Sequence, residues 1–125
     1  MAERATLAVA QGAVASATAL LVATQFFLAG AGAFGATSFD AHRTVGSIAV
    51  LVALVGLVLA AVTRRHRGHS AVVAGLLVLQ AALGSLGGDE PWVGALHGLN
   101  ALAVMGAAGS LARANWTGMR APRTA

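Results

Sequence analysis

The chain has 125 residues, of which 58% are hydrophobic and 10% charged, against about 25% charged in an average soluble domain, and its mean hydropathy is +0.79. That balance excludes a water-soluble globule and points to an integral membrane protein. Zero cysteines exclude disulfides, thiolate metal sites and iron–sulfur clusters, and the basic excess, with a formal charge of +4, implies no nucleic-acid partner because no basic patch is interleaved with aromatics.

A bilayer-spanning helix needs roughly 20 mostly apolar residues. Four runs of that kind follow one another, and the fold class they predict is all-α: an integral membrane four-helix up-down bundle in a single domain, residues 1–125. The expected helices cover about 6–33, 39–62, 70–87 and 91–114, with a short disordered C-terminal tail at 117–125. The first run is too long for a cleavable signal peptide and leads into more membrane sequence. It contains GAGAFG at residues 30–35, which matches a dinucleotide-binding fingerprint by letter. That motif carries meaning only between a strand and a helix, so Gly30, Gly32 and Gly35 are the end of the first helix and its turn.

The second run opens with His42 and Arg43 and continues from Thr44 to Val62 without a charge. Between it and the third run stand Arg64, Arg65 and Arg67, with Arg4 before the first run and Arg113, Arg120 and Arg123 after or at the end of the last. Lys and Arg loops stay in the cytoplasm. Both termini are therefore expected on the cytoplasmic side of the cytoplasmic membrane, with Asp40, Asp89 and Glu90 outside. The inner arginines also suit anionic lipid head groups. His66 and His69 fall in the inner loop and are expected to be solvated; two histidines at that spacing are too few for a metal site. The fourth run begins at Glu90–Pro91, an acid and a proline suited to a helix start. Trp92 and Trp116 bracket it, roughly 36 Å apart along a helix, which suits the two membrane interfaces.

Up-down connectivity makes the second and fourth helices parallel, both starting at the outer face. His42 and His97 then lie at similar depth. A second helix beginning at Asp40 would leave them offset by about 5–8 Å along the axis. Steps of three and four from His42 meet Gly46, Ala49, Ala53, Gly56 and Ala60; the face of His97 offers Gly94, Ala101, Ala108 and Ala112. The first helix repeats the pattern from Gln11 to Gln25 and Gly32, and the third carries Gln80 and Gly84. Small stripes alone fit close helix packing, and Asn100, Gln25 and Gln80 fit interhelical hydrogen bonding. Ionisable groups inside a membrane segment tend to mark function, however, and imidazole is an axial ligand of haem iron. The site expected on these grounds is a haem b (iron protoporphyrin IX) held by His42 and His97 and lined by Gly46, Ala49, Gln25, Gln80, Gly84, Asn100 and Ala101. Arg43 is suited to a propionate or, equally, to a head group. A proton or metal site without haem, and structural histidines, are the alternatives.

In order along the chain, QFFLAGAGAFG, HRTVG, LQAALGSLG and ALHGLNAL resemble one four-helix half of the haem A synthase family, and the layout is similar to small four-helix membrane proteins of actinobacteria. The resemblance covers nearly the whole chain through short motifs. It implies that His42 and His97 occupy axial haem-ligand positions. The chain departs from the family in having one half rather than two, Phe39 where members often carry a glutamate, with Asp40 next to it, and no outer-loop cysteine pair. The scaffold and haem binding are carried over, and conversion of haem O to haem A is not. The expected function is electron transfer or haem handling by a bis-histidine b-type protein, with the lipid bilayer, haem and a quinone or redox protein as partners. A homodimer would imitate the double enzyme. The competing expectations are a cofactor-free assembly subunit and a haem-dependent membrane oxidoreductase.

Overall fold

The computed structural model describes residues 2–120. These form four helices in chain order, α1 (Ala2–Ala33), α2 (Asp40–Thr63), α3 (Arg67–Leu86) and α4 (Pro91–Arg120). All four are long and apolar enough to cross a membrane, so the chain is a multi-pass membrane protein. Each helix packs on its sequence neighbours, and α4 closes the ring on α1. The parallel helices α2 and α4 therefore face one another diagonally across the bundle axis. One end of the bundle carries Asp40, Asp89 and Glu90 and is called the acidic end below; the other, with the Arg64–Arg67 loop, is the arginine end.

The axis is filled by small side chains. Ala15, Thr18, Val22, Ala49, Ala53, Val73, Leu77, Val104 and Ala108 are buried, whereas Leu51, Val58, Leu79 and Leu102 are exposed on the outside, where acyl chains would solvate them. Leucine gains nothing by leaving lipid, so close approach through small residues is what holds such helices together.

The turns explain the helix limits. At the end of α1 the Gly35 N–H donates to Gly32 O (3.1 Å) and the Ala36 N–H to Ala31 O (2.8 Å). This is a Schellman closure, and it needs Gly35 at its φ of +74°, as expected from the GAGAFG stretch. At the arginine end Arg64 and His66 take left-handed φ values of 58° and 51°, a conformation that costs an L-residue about 1–2 kcal/mol. Gln11, buried on α1, offsets that cost: its Nε2 donates to Arg65 O (2.9 Å) and its Oε1 accepts from the Thr63 hydroxyl (2.7 Å).

Two expected boundaries are corrected. The tight Arg64–His66 turn lets α3 begin at Arg67 rather than 70, with the Ser70 N–H bonded to His66 O (2.8 Å). His69 is consequently helical, and its Nε2 lies 3.1 Å from Ala107 O and 2.9 Å from Ser110 Oγ on α4; it bridges helices instead of being freely solvated. Residues 117–120, expected in a disordered tail, belong to α4, where the Thr117 hydroxyl donates back to Arg113 O (3.1 Å). The rest of that tail, 121–125, lies outside the described residues.

Candidate functional site in the acidic half of the bundle

A cavity of about 840 Å³ opens between the helices in the acidic half, within the range of small-molecule and cofactor pockets, roughly 300–1,000 Å³. His42 and His97 line it from α2 and α4, with ring centroids 6.1 Å apart and ring planes at 66°. The axial offset expected from their helix positions, third residue of α2 against seventh of α4, does not keep the rings apart. The neighbouring walls are apolar or small: Val22, Ala49, Leu77, Gly84, Ala101 and Val104.

Both rings are turned the same way. His42 Nδ1 lies 3.3 Å from Gln25 O and His97 Nδ1 lies 3.0 Å from Gln80 O, each partner seventeen residues earlier on the preceding helix. A backbone carbonyl can only accept, so each Nδ1 carries the proton and each Nε2 keeps a lone pair in the neutral ring. No protein group bonds either Nε2 among the described residues. Such an Nδ1–H···O=C bond is the arrangement that orients metal-bound histidines and raises the basicity of the ligating nitrogen.

The two halves of the site are copies in outline. Gln25 and Gln80, Gly32 and Gly87, and His42 and His97 are each separated by 55 positions. The same offset relates buried pairs along the axis, among them Thr18 and Val73, Val22 and Leu77, and Ala53 and Ala108. The α1–α2 hairpin thus repeats in the α3–α4 hairpin at a fixed offset of 55 positions, with the two imidazoles at equivalent places. This repeat was legible in the sequence at a single fixed offset, but too few identities mark it for any one segment to announce it.

The remaining expected residues divide. Gln25, Arg43, Gly46, Ala49, Gln80, Gly84 and Ala101 line the cavity, and Asn100 does not. Asn100 stands behind the wall, where its Nδ2 donates to Leu76 O (3.0 Å) and Gln80 Oε1 (2.6 Å); it is the interhelical tie. Gln80 in turn donates from Nε2 to His97 O (3.0 Å). The corresponding Gln25 Nε2 is buried without a partner. Arg43 is exposed at the mouth and 3.5 Å from the exposed Asp40, a pair of small energetic weight. Phe39, not expected in the site, sets its ring edgewise to His42 at 6.2 Å. It also packs where Gly32 has no side chain, 2.9 Å from the place a Cβ would take.

No cluster of three or more His, Asp or Glu side chains that could hold a metal ion occurs among the described residues. A metal bound here would have to bring other ligands with it. At the arginine end His66 is neutralised more readily than a free imidazole, because partial burial and then the nearby Arg65 and His69 disfavour its cation.

Residues 25–86, just under half of the chain, match a family described as "Family of unknown function (DUF6220)". The matched segment begins at Gln25, includes His42 and Gln80, and ends at Leu86, before His97. No curated protein and no solved structure matches the chain.

Proposed function

We propose that the chain is a b-type haem protein of the cytoplasmic membrane, with His42 and His97 as the two axial ligands, serving one-electron transfer or haem handling. The observation that carries this reading is the pair of imidazoles lining one cavity, each with Nδ1 committed to a backbone carbonyl and Nε2 left free. The two rings line one cavity with centroids 6.1 Å apart, so a single bound group would be within reach of both. A haem supplies its own four equatorial nitrogens, so two histidines suffice where a bare ion would need more protein ligands than this cavity offers. The donor set therefore fits the group.

When bound, the haem would supply a one-electron couple. The chain's own residues do the rest. Gln25 O and Gln80 O fix the imidazole tautomers, the apolar walls exclude water, and the Arg43 guanidinium at the mouth places positive charge near the ligand's outer edge. Burial, axial ligands and nearby charge are the protein's means of setting a potential. The arginine distribution supports an orientation with the arginine end in the cytoplasm, which puts the cavity toward the outer leaflet. The haem-dependent oxidoreductase gains no support from the cavity: Asp40 is exposed, and no acid lines the cavity among the described residues.

The test is the absorption spectrum of protein purified in detergent after expression with ample haem. A sharp Soret band with low-spin visible bands is expected, and His42→Ala and His97→Ala should each remove the low-spin signature. A colourless wild-type preparation overturns the proposal in favour of an assembly subunit.

A further inference from the structure

The 55-position repeat allows the two histidines to be compared like with like, and they are not held equally. In the repeat frame Pro91, where α4 begins, corresponds to residue 36, yet α2 begins only at Asp40. His97 therefore sits seven residues into its helix and His42 three. The first four N–H groups of a helix have no intrahelical acceptor; the N-cap residue Phe39 makes no side-chain bond to α2, and the one side-chain bond to its first N–H is a long one, Asp40 N–H to Ser38 Oγ at 3.3 Å, so the backbone carrying His42 belongs to a weakly capped end turn.

The surroundings differ in the same direction. His97 bonds Gln80 O at 3.0 Å, while the Gln80 side chain grips the His97 carbonyl, also at 3.0 Å, and is itself held by Asn100. Gly84 lets the helices close until the position of its missing Cβ is 3.0 Å from His97 Cε1. His42 bonds Gln25 O at a longer 3.3 Å. Its Gln25 amide grips nothing; the place of Asn100 is taken by Val45, which cannot hydrogen-bond, and that of Gly84 by Ala29.

We propose that His97 is the permanent ligand and His42 a displaceable one, so that the site admits a small neutral diatomic molecule on the α2 side. This rests on the haem reading above. With haem bound, the exchange would break the bond between the iron and His42 Nε2 and form one between the iron and the incoming molecule. The imidazole would leave neutral, its Nδ1–H still donated to Gln25 O, and no electron would change hands. The added activity is reversible gas binding, which a rigid bis-histidine electron carrier lacks.

The experiment uses carbon monoxide on the dithionite-reduced holoprotein, followed by absorption. Wild type is expected to convert to a carbonyl spectrum within minutes. His42→Ala should keep its haem in a high-spin form and bind carbon monoxide about tenfold faster or more, since no internal ligand reduces the competent fraction. His97→Ala should lose haem on purification. A second measurement needs no haem: in haem-free protein labelled with ¹⁵N-histidine, His97 should give one sharp Nδ1–H tautomer and His42 exchange-broadened signals. The proposal is overturned if the reduced wild type stays low-spin under saturating carbon monoxide, if His97→Ala keeps haem while His42→Ala loses it, or if the two rings give equally sharp spectra. A colourless wild type removes the haem reading and the exchange together; a coloured one that resists carbon monoxide removes the exchange alone.

Discussion

Gly84 shows how much of the site rests on single atoms. A Cβ at this position would stand 3.0 Å from His97 Cε1 and 3.1 Å from Nδ1, tighter than most such contacts, so any side chain at residue 84 would press on the imidazole. Gly84→Val should displace the ring from Gln80 O, at an overpacking cost of about 1–3 kcal/mol, and weaken haem retention in a detergent wash. Gly46→Ala is the contrast: its Cβ would meet only the flexible Gln25 amide, at 3.4 Å, and retention should stay near wild type. At this scale His42 and His97 were legible in the sequence because an ionisable ring in an apolar run is conspicuous. Their hydrogen-bond partners were not. Both acceptors are backbone carbonyls, which every residue carries, so no side-chain pattern could single out residues 25 and 80. The separate role of Asn100, behind the cavity rather than in it, likewise depended on which wall its amide reached.

Among the elements, the α3–α4 joint is the tightest. The Cβ missing from Gly87 would fall 2.8 Å from Gly94 Cα, a backbone atom that cannot swing aside. Gly87→Ala should therefore lower stability by about 1–3 kcal/mol, seen as a lower midpoint in thermal unfolding in detergent. Gly30, inside α1, faces nothing within 4 Å, and Gly30→Ala should raise the midpoint slightly, by up to about 1 kcal/mol, through a less flexible unfolded chain. Helix number and order could be read from hydropathy because each span is a local property of some twenty residues. The early start of α3 could not. It follows from a turn of non-glycine residues in left-handed conformation, stabilised by Gln11 from a helix more than fifty positions away. Sequence preference alone argues against such a turn.

For the whole molecule, the distribution of charge makes a prediction that the bundle itself does not decide. With no native cysteine, single cysteines report topology cleanly. Ser38→Cys and Asp89→Cys should react with an impermeant maleimide added to intact cells, and Gly68→Cys only after the membrane is opened. The reverse pattern would place the arginine end outside and the cavity toward the cytoplasm. The 55-position repeat also explains why both hairpins contribute to one cavity: two hairpins of one pattern bring equivalent residues, Gln25 with Gln80 and His42 with His97, to the same end of the bundle. The sequence by itself determined that four spans cross a membrane, that the second and fourth run parallel, and that each carries a histidine near the same end, because hydropathy, helix period and connectivity are all set along the chain. Only the tertiary structure decided that those two helices stand diagonally, that their rings meet at 6.1 Å with Nε2 free, and that one ring is held more firmly than the other. Those outcomes depend on distances between non-adjacent helices and on backbone carbonyls as acceptors, and neither is encoded in any single segment.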